Sequence, residues 1–469
     1  MRTLVRSAVG ILAACAAVAA QAQSVTLTRS AEPQARRIDT RVTTRGKVFA
    51  NVGAGKTAEH ELAATAAFTF VERSLPAGGR DALALRAVRE FSAGTMETTI
   101  GDRRTTVELP AAARLVVASG DAVGVQSYAI NAALTREAVD LLELPGDPLA
   151  LEGILPPRAV EPGGAWSPAD WAVQMLAAIE AMESAKLTCT LTEVNGDVAI
   201  IAVDGSAKGQ RQGTNVEIGI RGTLEFEIAA GAFRGAKLVY KVKSAIGAVS
   251  PGLEADVAVQ MRSVAASGSG RLTDEFVGQL PIAAPAGALD LAFDAAPWGV
   301  RLRHPRDWFL FHAVLDGSPQ VAILRLLDRG SLIAQCNLSP VPAAKAGQHT
   351  PLDQFEADIR ASLGSRLKDI TAREEVSLGT GFRTFRVVAE GGYSLKNAQG
   401  DDLKIPAHWI YYLCAAPNGQ QVSFVFAVES NLLEQLGSRD EELVQQLQFI
   451  AERNPTPSRA ASRPDAGRP

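Results

Sequence analysis

The sequence predicts an α+β protein built mainly from antiparallel strands. Residues 216–228 alternate apolar and polar side chains, which is typical of one strand with a buried and a solvated face. Asn195-Gly196 lies between two alternating segments and predicts a hairpin. Helical spacing is sparse before residue 265. Because a strand this long needs a broad, coiled sheet, we expect a large curved antiparallel β-sheet with few covering helices over residues 38–264.

The long strand carries Gly222 at the single empty position of its apolar face. A glycine in mid-strand is a common bending point. The chain then turns at residues 231–235 and returns with Leu238, Tyr240 and Val242 on the inward face. Lysines on the outward face of the return can lie opposite the glutamates of the outgoing strand, which favours antiparallel pairing.

Two helices are predicted in this first half. Ser167-Pro168-Ala169-Asp170 has the pattern of a capping box with proline at the first helical position, and helical spacing continues to about Lys186. A shorter helix is predicted after Thr135. A helix that buries tryptophan and methionine against a long sheet would either close a cavity or simply fill it, and both interpretations stay open.

The rest of the chain predicts a linker, a second unit and a tail. Residues 265–288 are rich in Ser, Gly, Pro and Ala and are interpreted as the linker. Residues 289–452 combine strands with helices after Thr350-Pro351 and Ser438, which predicts an α+β sandwich. Residues 453–469 have little to bury and are predicted to be disordered. The predicted strands of the second unit lie near 290–303, 308–315, 319–327, 330–338, 382–391, 405–415 and 420–428.

Residues 1–22 are predicted to be a signal peptide. Two arginines precede an apolar run that ends in Ala20-Gln21-Ala22, the small-x-small pattern of a cleavage site. We therefore expect an exported protein, periplasmic or extracellular. The alternative is a lipoprotein in which Cys15, after Leu12-Ala13-Ala14, carries the lipid. No transmembrane segment is predicted in the mature chain, because no later window is apolar over a sufficient length.

Composition and motifs exclude several function classes. A net charge of −4 argues against nucleic acid as a partner. The five histidines never occur at the spacing that brings two imidazoles to one metal, so no metal site or cofactor is predicted. Residues 50–57 satisfy only a loose phosphate-loop pattern and are interpreted as a glycine-rich turn.

The three cysteines of the mature chain occupy strand positions. Cys189 alternates with leucines against threonines and is expected to be a buried, unreactive thiol. Cys336 and Cys414 lie on different predicted strands of the second unit. Whether Cys336 and Cys414 form a disulfide stays open at this point, since sequence does not fix their separation.

Two segments resemble known families. His304-Pro305-Arg306-Asp307-Trp308, preceded by apolar residues at alternate positions, resembles the opening of PsbP-like domains. That resemblance covers about 290–452 and implies an α/β/α sandwich that binds protein partners and has no shared catalytic residues. Residues 38–264 resemble the half-barrel of LolA-type lipoprotein-handling proteins in their long strands and sparse helices. Residues 151–156 (LEGILP) and 164–166 (GAW) resemble an uncharacterised group of exported planctomycete-type proteins, which implies no activity.

The sequence favours an exported, non-enzymatic binding protein. An apolar ligand or lipid-like chain would lie in the first-half sheet, and the second unit would contact protein partners. One alternative is a structural or assembly component of the cell envelope, which binds an envelope protein and no small ligand. The other is an enzyme with a dispersed site at the domain junction. The residues predicted to line the ligand site are Phe68, Phe70, Trp171, Met175, Ile220, Leu224 and Phe226.

Overall fold

A computed structural model describes residues 24–30, 34–52, 56–75, 81–121, 123–328, 330–396 and 402–450. The predicted signal peptide, Cys15 and the predicted tail lie outside the described residues, as does part of the loose phosphate-loop pattern. The described chain is mostly antiparallel sheet. Among its helices, none combines the length and hydropathy that a membrane span requires.

The first unit is one large sheet with twelve strands. They are β1 (Arg36–Asn51), β2 (Thr57–Ser74), β3 (Arg86–Ile100), β4 (Arg103–Glu108), β5 (Leu115–Asp121), β6 (Gly124–Ala129), β7 (Ala165–Trp166), β8 (Ala181–Asn195), β9 (Val198–Arg211), β10 (Thr214–Glu227), β11 (Ala232–Ser244) and β12 (Gly252–Ala265). Their order is β6-β5-β3-β2-β1-β12-β11-β10-β9-β8-β7, and β4 pairs with β3 beside this path. This arrangement is consistent with the predicted large curved sheet.

The predicted long strand is confirmed as the single strand β10, with buried and more exposed residues alternating along most of its length. It pairs antiparallel with β9 and β11. Position 222 requires glycine because the neighbouring strand lies very close: a Cβ there would lie 2.0 Å from the Lys237 carbonyl oxygen. The Asn195-Gly196 hairpin between β8 and β9 is confirmed as well, with Gly196 at φ +61°.

Three helices cover the apolar face of this sheet: α1 (Arg136–Leu142), α2 (Pro148–Gly153) and α3 (Asp170–Ala177). The Thr135 hydroxyl caps α1 by accepting from the Ala138 amide, as the sequence predicts. The helix predicted to reach Lys186 is wrong in its extent. It ends at Ala178, which is left-handed at φ 50°, and the following residues pair with β9 as strand β8. Sheet pairing therefore overrides the helical spacing of this segment.

The segment predicted as the linker contains α4 (Asp274–Gly278). Leu272, just before that helix, is fully buried. It packs with Val88, Val117 and Tyr128 in a cluster separate from the main core of the first unit. The segment is therefore held against strands β3, β5 and β6 by apolar contact.

In the described part of the chain, the second unit contains ten strands and three α-helices. They are β13 (Leu291–Ala295), β14 (Val300–His304), β15 (Trp308–Val314), β16 (Val321–Asp328), β17 (Ser331–Val341), α5 (Leu352–Leu363), β18 (Leu367–Val376), β19 (Arg383–Lys396), β20 (Asp402–Ala415), β21 (Gln421–Glu429), α6 (Leu433–Leu436), α7 (Arg439–Gln445) and β22 (Leu447–Phe449). Seven strands form a sheet in the order β15-β16-β17-β21-β20-β19-β18, and β13-β14-β22 form a small second sheet.

The packing of the second unit departs from two expectations. Helix α5 covers one face of the seven-stranded sheet through Phe355, Ile359 and Leu363, as its spacing predicts. The other face is shared by the three-stranded sheet and the short helices α6 and α7, so the α/β/α sandwich is not confirmed. The single strand predicted at 290–303 is wrong, because a turn ending at Gly299 (φ +65°) divides it into β13 and β14.

The three described cysteines are buried and free. The disulfide left open between Cys336 and Cys414 is therefore not formed. Burial raises the pKa of each thiol, that of Cys189 to about 12, which keeps them protonated.

Candidate functional site

A cavity of about 440 Å³ lies where the two units meet. It is bounded by the inner face of the twelve-stranded sheet, by α1 and α3, and by the start of the second unit. This volume lies in the range of about 300–1,000 Å³ typical of small-molecule sites, which also occur preferentially at domain interfaces. We refer to this space as the junction cavity.

The floor of the junction cavity is apolar and comes from three adjacent strands. Ile218 on β10, Val242 on β11 and Val257 on β12 line it. Alternation along each strand turns these residues inward. Met175 and Leu176 on α3 form a neighbouring wall. The helix was expected either to close a cavity or to fill it. Helix α3 fills part of the space under the sheet and forms one wall of the part that stays open.

The second unit supplies the remaining wall. Arg306, Asp307 and Phe309 come from the turn before β15 and from its first residues, and Leu327 comes from β16. The two units are joined beside the cavity by a short bridge, in which the Ala292 amide donates to the Leu134 carbonyl at 2.8 Å.

Most charged groups around the cavity are already paired. Arg211 Nη2 lies 3.0 Å from Glu143 Oε2, and Arg136 Nη2 lies 2.8 Å from Asp140 Oδ1. The Arg136 guanidinium also lies over the Phe309 ring, 4.8 Å from its centroid. Glu143 and Asp140 are therefore not free to neutralise a further cation.

Arg306 is a half-buried guanidinium that bonds only to backbone. Its Nε donates to the Leu289 carbonyl at 2.9 Å, and its Nη2 donates to the Ser127 carbonyl. Within the described chain no carboxylate lies within ion-pairing distance of it. Burial lowers the pKa of Arg306, because its charged form is less well solvated in the protein than in water.

Tyr240 supplies a polar group on the apolar floor. The residue is only 3% exposed, and its hydroxyl has no hydrogen-bond partner among the described residues. The Gly146 backbone lies beside the hydroxyl and partly offsets the effect of burial on its pKa. Burial raises the pKa of Tyr240, so the group stays protonated. An unsatisfied buried hydroxyl costs free energy until a ligand or water bonds to it.

A buried ionic network lies behind the floor. Arg89, with 1% of its side chain exposed, donates to Glu72 at 2.7 Å and makes two bonds to Asp147, at 2.7 and 2.6 Å. Asp147 also accepts from the Leu149 amide and caps α2. Because Asp147 lines the junction cavity, this network holds the loop before α2 in place beside the site.

Two lining residues have left-handed backbone. Ala178 (φ 50°) ends α3, and Gln212 (φ 49°) forms the turn between β9 and β10. Glu180 supports this turn by accepting from the Gln212 amide at 3.0 Å. Glycine or asparagine is usual at such positions. The left-handed conformation of Ala178 and Gln212 therefore costs free energy at two points of the cavity wall.

The residues predicted to line the ligand site divide into two groups. Met175 lines the junction cavity. The others pack in the main core of the first unit, where Trp171 is half-buried and lies against Gly153. Their role in ligand binding stays a prediction. Those fully packed in the core are Phe68, Phe70, Ile220, Leu224 and Phe226.

Sequence reasoning did not assign Arg306 or Tyr240 to a site. Tyr240 was expected on the inward face of β11, and that placement is confirmed. Arg306 lies within the segment that resembles PsbP-like domains, but no pattern linked it to the first-half sheet. In the described residues, no group of three or more His, Cys, Asp or Glu side chains is placed to hold a metal ion.

No family model and no curated protein matches this chain. Among solved structures, it is similar to cyanobacterial PsbP from Synechocystis sp. PCC 6803, with 16% identity, a TM-score of 0.24, and coverage of 34% of this chain and 92% of that one. It is also similar to lipovitellin, described for its lipid–protein interactions, with 7% identity and a TM-score of 0.27. That second similarity covers 50% of this chain and 26% of lipovitellin.

TM-scores of this size carry no argument about function. The PsbP-like resemblance of the second half has a counterpart among these similarities. The LolA-type and planctomycete-type resemblances of the first half have no support from them.

Proposed function

We propose that this is an exported, non-enzymatic binding protein that holds an apolar or lipid-like ligand in the junction cavity. The observation that carries the proposal is the apolar floor formed by Ile218, Val242 and Val257, with the unsatisfied hydroxyl of Tyr240 among them. Apolar surface that leaves water in such a site contributes roughly 25 cal/mol per Å². The hydroxyl supplies one hydrogen bond that orients the ligand.

The chemistry of the lining supports binding over catalysis. Among the described residues that line the cavity there is no Ser, Cys, His or Lys, the usual nucleophiles and bases. Three of the four carboxylates present are engaged elsewhere: Glu143 pairs with Arg211, Asp147 with Arg89, and Glu180 accepts from the Gln212 amide. The fourth, Asp307, has its Oδ2 3.9 Å from Arg439 and its Oδ1 buried without a hydrogen-bond partner among the described residues.

Binding of an uncharged fluorescent dye, Nile red, tests this proposal on the purified protein. We expect saturable one-to-one binding that Val242→Trp weakens by tenfold or more, because the indole fills the cavity from its floor. Lys243→Trp is the matched control, since the next residue of β11 is exposed. Absence of binding by the unmodified protein, or equal binding by Val242→Trp, would contradict the proposal.

A protein-contact role for the second unit is a second candidate. Leu395 and Leu403 lie opposite each other on β19 and β20, and each is more than half exposed. Adjacent exposed apolar side chains supply the kind of surface that a protein partner covers, and a contact surface needs a contiguous patch of this character. We expect Leu395→Ser with Leu403→Ser to abolish crosslinking of a stoichiometric envelope partner in intact cells. Unchanged crosslinking would contradict a contact at this pair.

A further inference from the structure

The junction cavity contains one cation that the protein leaves without a counter-ion. Three guanidiniums line it, of which Arg136 and Arg211 are paired with carboxylates of α1 and the residue after it. Arg306 is the third. It uses two of its five N–H donors on backbone carbonyls, and the rest have no acceptor among the described residues.

The surroundings of Arg306 do not neutralise it. The charged groups that act on it are Glu143, Arg136 and Asp290. Glu143 is bound to Arg211 and Arg136 repels a second cation, while Asp290 is too distant for an ion pair with any described residue. The Oδ2 of the adjacent Asp307 lies 3.9 Å from Arg439 Nη1, and its Oδ1 is buried without a hydrogen-bond partner among the described residues. Arg306 is half-buried and its remaining N–H donors have no acceptor among the described residues, so an anion brought into the cavity can form charge-assisted hydrogen bonds with them.

We propose that the ligand is a singly charged anionic amphiphile, a single-chain fatty acid or a molecule of that class, with its carboxylate on Arg306. This inference rests on the proposed function. The apolar chain would lie on the floor of Ile218, Val242 and Val257. The two carbonyls that hold Arg306 are those of Leu289, the first residue of the second unit, and Ser127 of β6. They fix the guanidinium at the boundary between the units, so the anion would lie where the two units meet.

The first test compares three probes on the unmodified protein by calorimetry, below the micelle concentrations of the two ionic probes and the solubility limit of the neutral one. The probes share a twelve-carbon chain: dodecanoate is anionic, dodecan-1-ol neutral and dodecyltrimethylammonium cationic. We expect dodecanoate to bind about tenfold more tightly than the alcohol, and the cation to bind weakest. An alcohol that binds as tightly as dodecanoate overturns the anionic assignment and leaves the proposed function intact. Failure of all three probes to bind would instead count against the proposed function.

The second test replaces the guanidinium. Arg306→Gln should weaken dodecanoate about tenfold and leave dodecan-1-ol within twofold, since only the anion contacts the charge. Arg303→Gln is the matched control, three residues earlier and away from the cavity lining. Equal losses for the two probes would assign Arg306 a purely structural role and overturn the proposal. If Arg306→Gln fails to fold, the probe series on the unmodified protein still decides the question.

Discussion

Removal of the Arg89 guanidinium should destabilise the first unit more than any single surface change. Arg89→Met keeps most of the side-chain volume beside Phe70, whose ring centroid lies 5.3 Å from the guanidinium carbon. It leaves Glu72 and Asp147 without their cation, although their side chains are only 8% and 3% exposed. Breaking a buried ion pair by removing one partner costs about 3–5 kcal/mol. We therefore expect the free energy of unfolding to fall by about 4 kcal/mol at pH 7.

Hydrogen exchange of peptides from β3 is the suitable assay, because it reports the first unit separately from the second. Lys47→Met is the control: its ammonium lies 2.6 Å from Glu59, but both side chains are about half exposed. Such a surface pair contributes little to stability, because water and salt screen it. Acidification should reduce the loss in Arg89→Met, because burial raises the pKa of Glu72 and its protonated carboxyl no longer needs the cation. A loss below about 1 kcal/mol, or one equal to that of Lys47→Met, would refute this reasoning.

Two further predictions concern pH and backbone space. Burial raises the pKa of Glu152 to about 7, against an ordinary value of 4.5. The folded state therefore keeps a proton that the unfolded state loses, and stability should fall by about 3 kcal/mol as pH rises from 4.5 to 7. Urea unfolding at both pH values measures this, and Glu152→Gln should remove that part of the slope while Glu161→Gln does not. Gly222→Ala should destabilise by about 3 kcal/mol in the same assay, because its Cβ meets the Lys237 carbonyl oxygen. Gly219→Ala on the same strand has its nearest contact at 3.7 Å, and an equal effect there would contradict the steric explanation.

Local pattern was sufficient for the long strand β10, the Asn195-Gly196 hairpin and the amphipathic helix α5. The spacing of apolar residues indicates directly which face of β10 and of α5 is buried. Asn-Gly is a preferred sequence for a two-residue hairpin turn. The same reasoning failed at α3 and at residues 290–303. Residues 181–186 fit a helix in isolation, yet they pair with β9 in the sheet. Gly299 ends a turn that divides the segment into β13 and β14, and the apolar alternation changes phase there.

The candidate site was predictable only in part. The inward orientation of Tyr240 and the burial of Met175 follow from periodicity. Periodicity does not predict which guanidinium is paired with a carboxylate. Arg306, for example, lies 179 residues from the Ser127 carbonyl to which it donates. Likewise Arg89 and Asp147 are separated by 58 residues and meet only through packing.

The amino-acid sequence alone determined the buried face of the long strand β10 and the positions of α1 and α5, because periodicity and turn residues act over short distances. Only the tertiary structure decided where space is left between those units and which charge remains without a partner there. Both are outcomes of contacts between segments far apart in the chain, for which no local pattern exists.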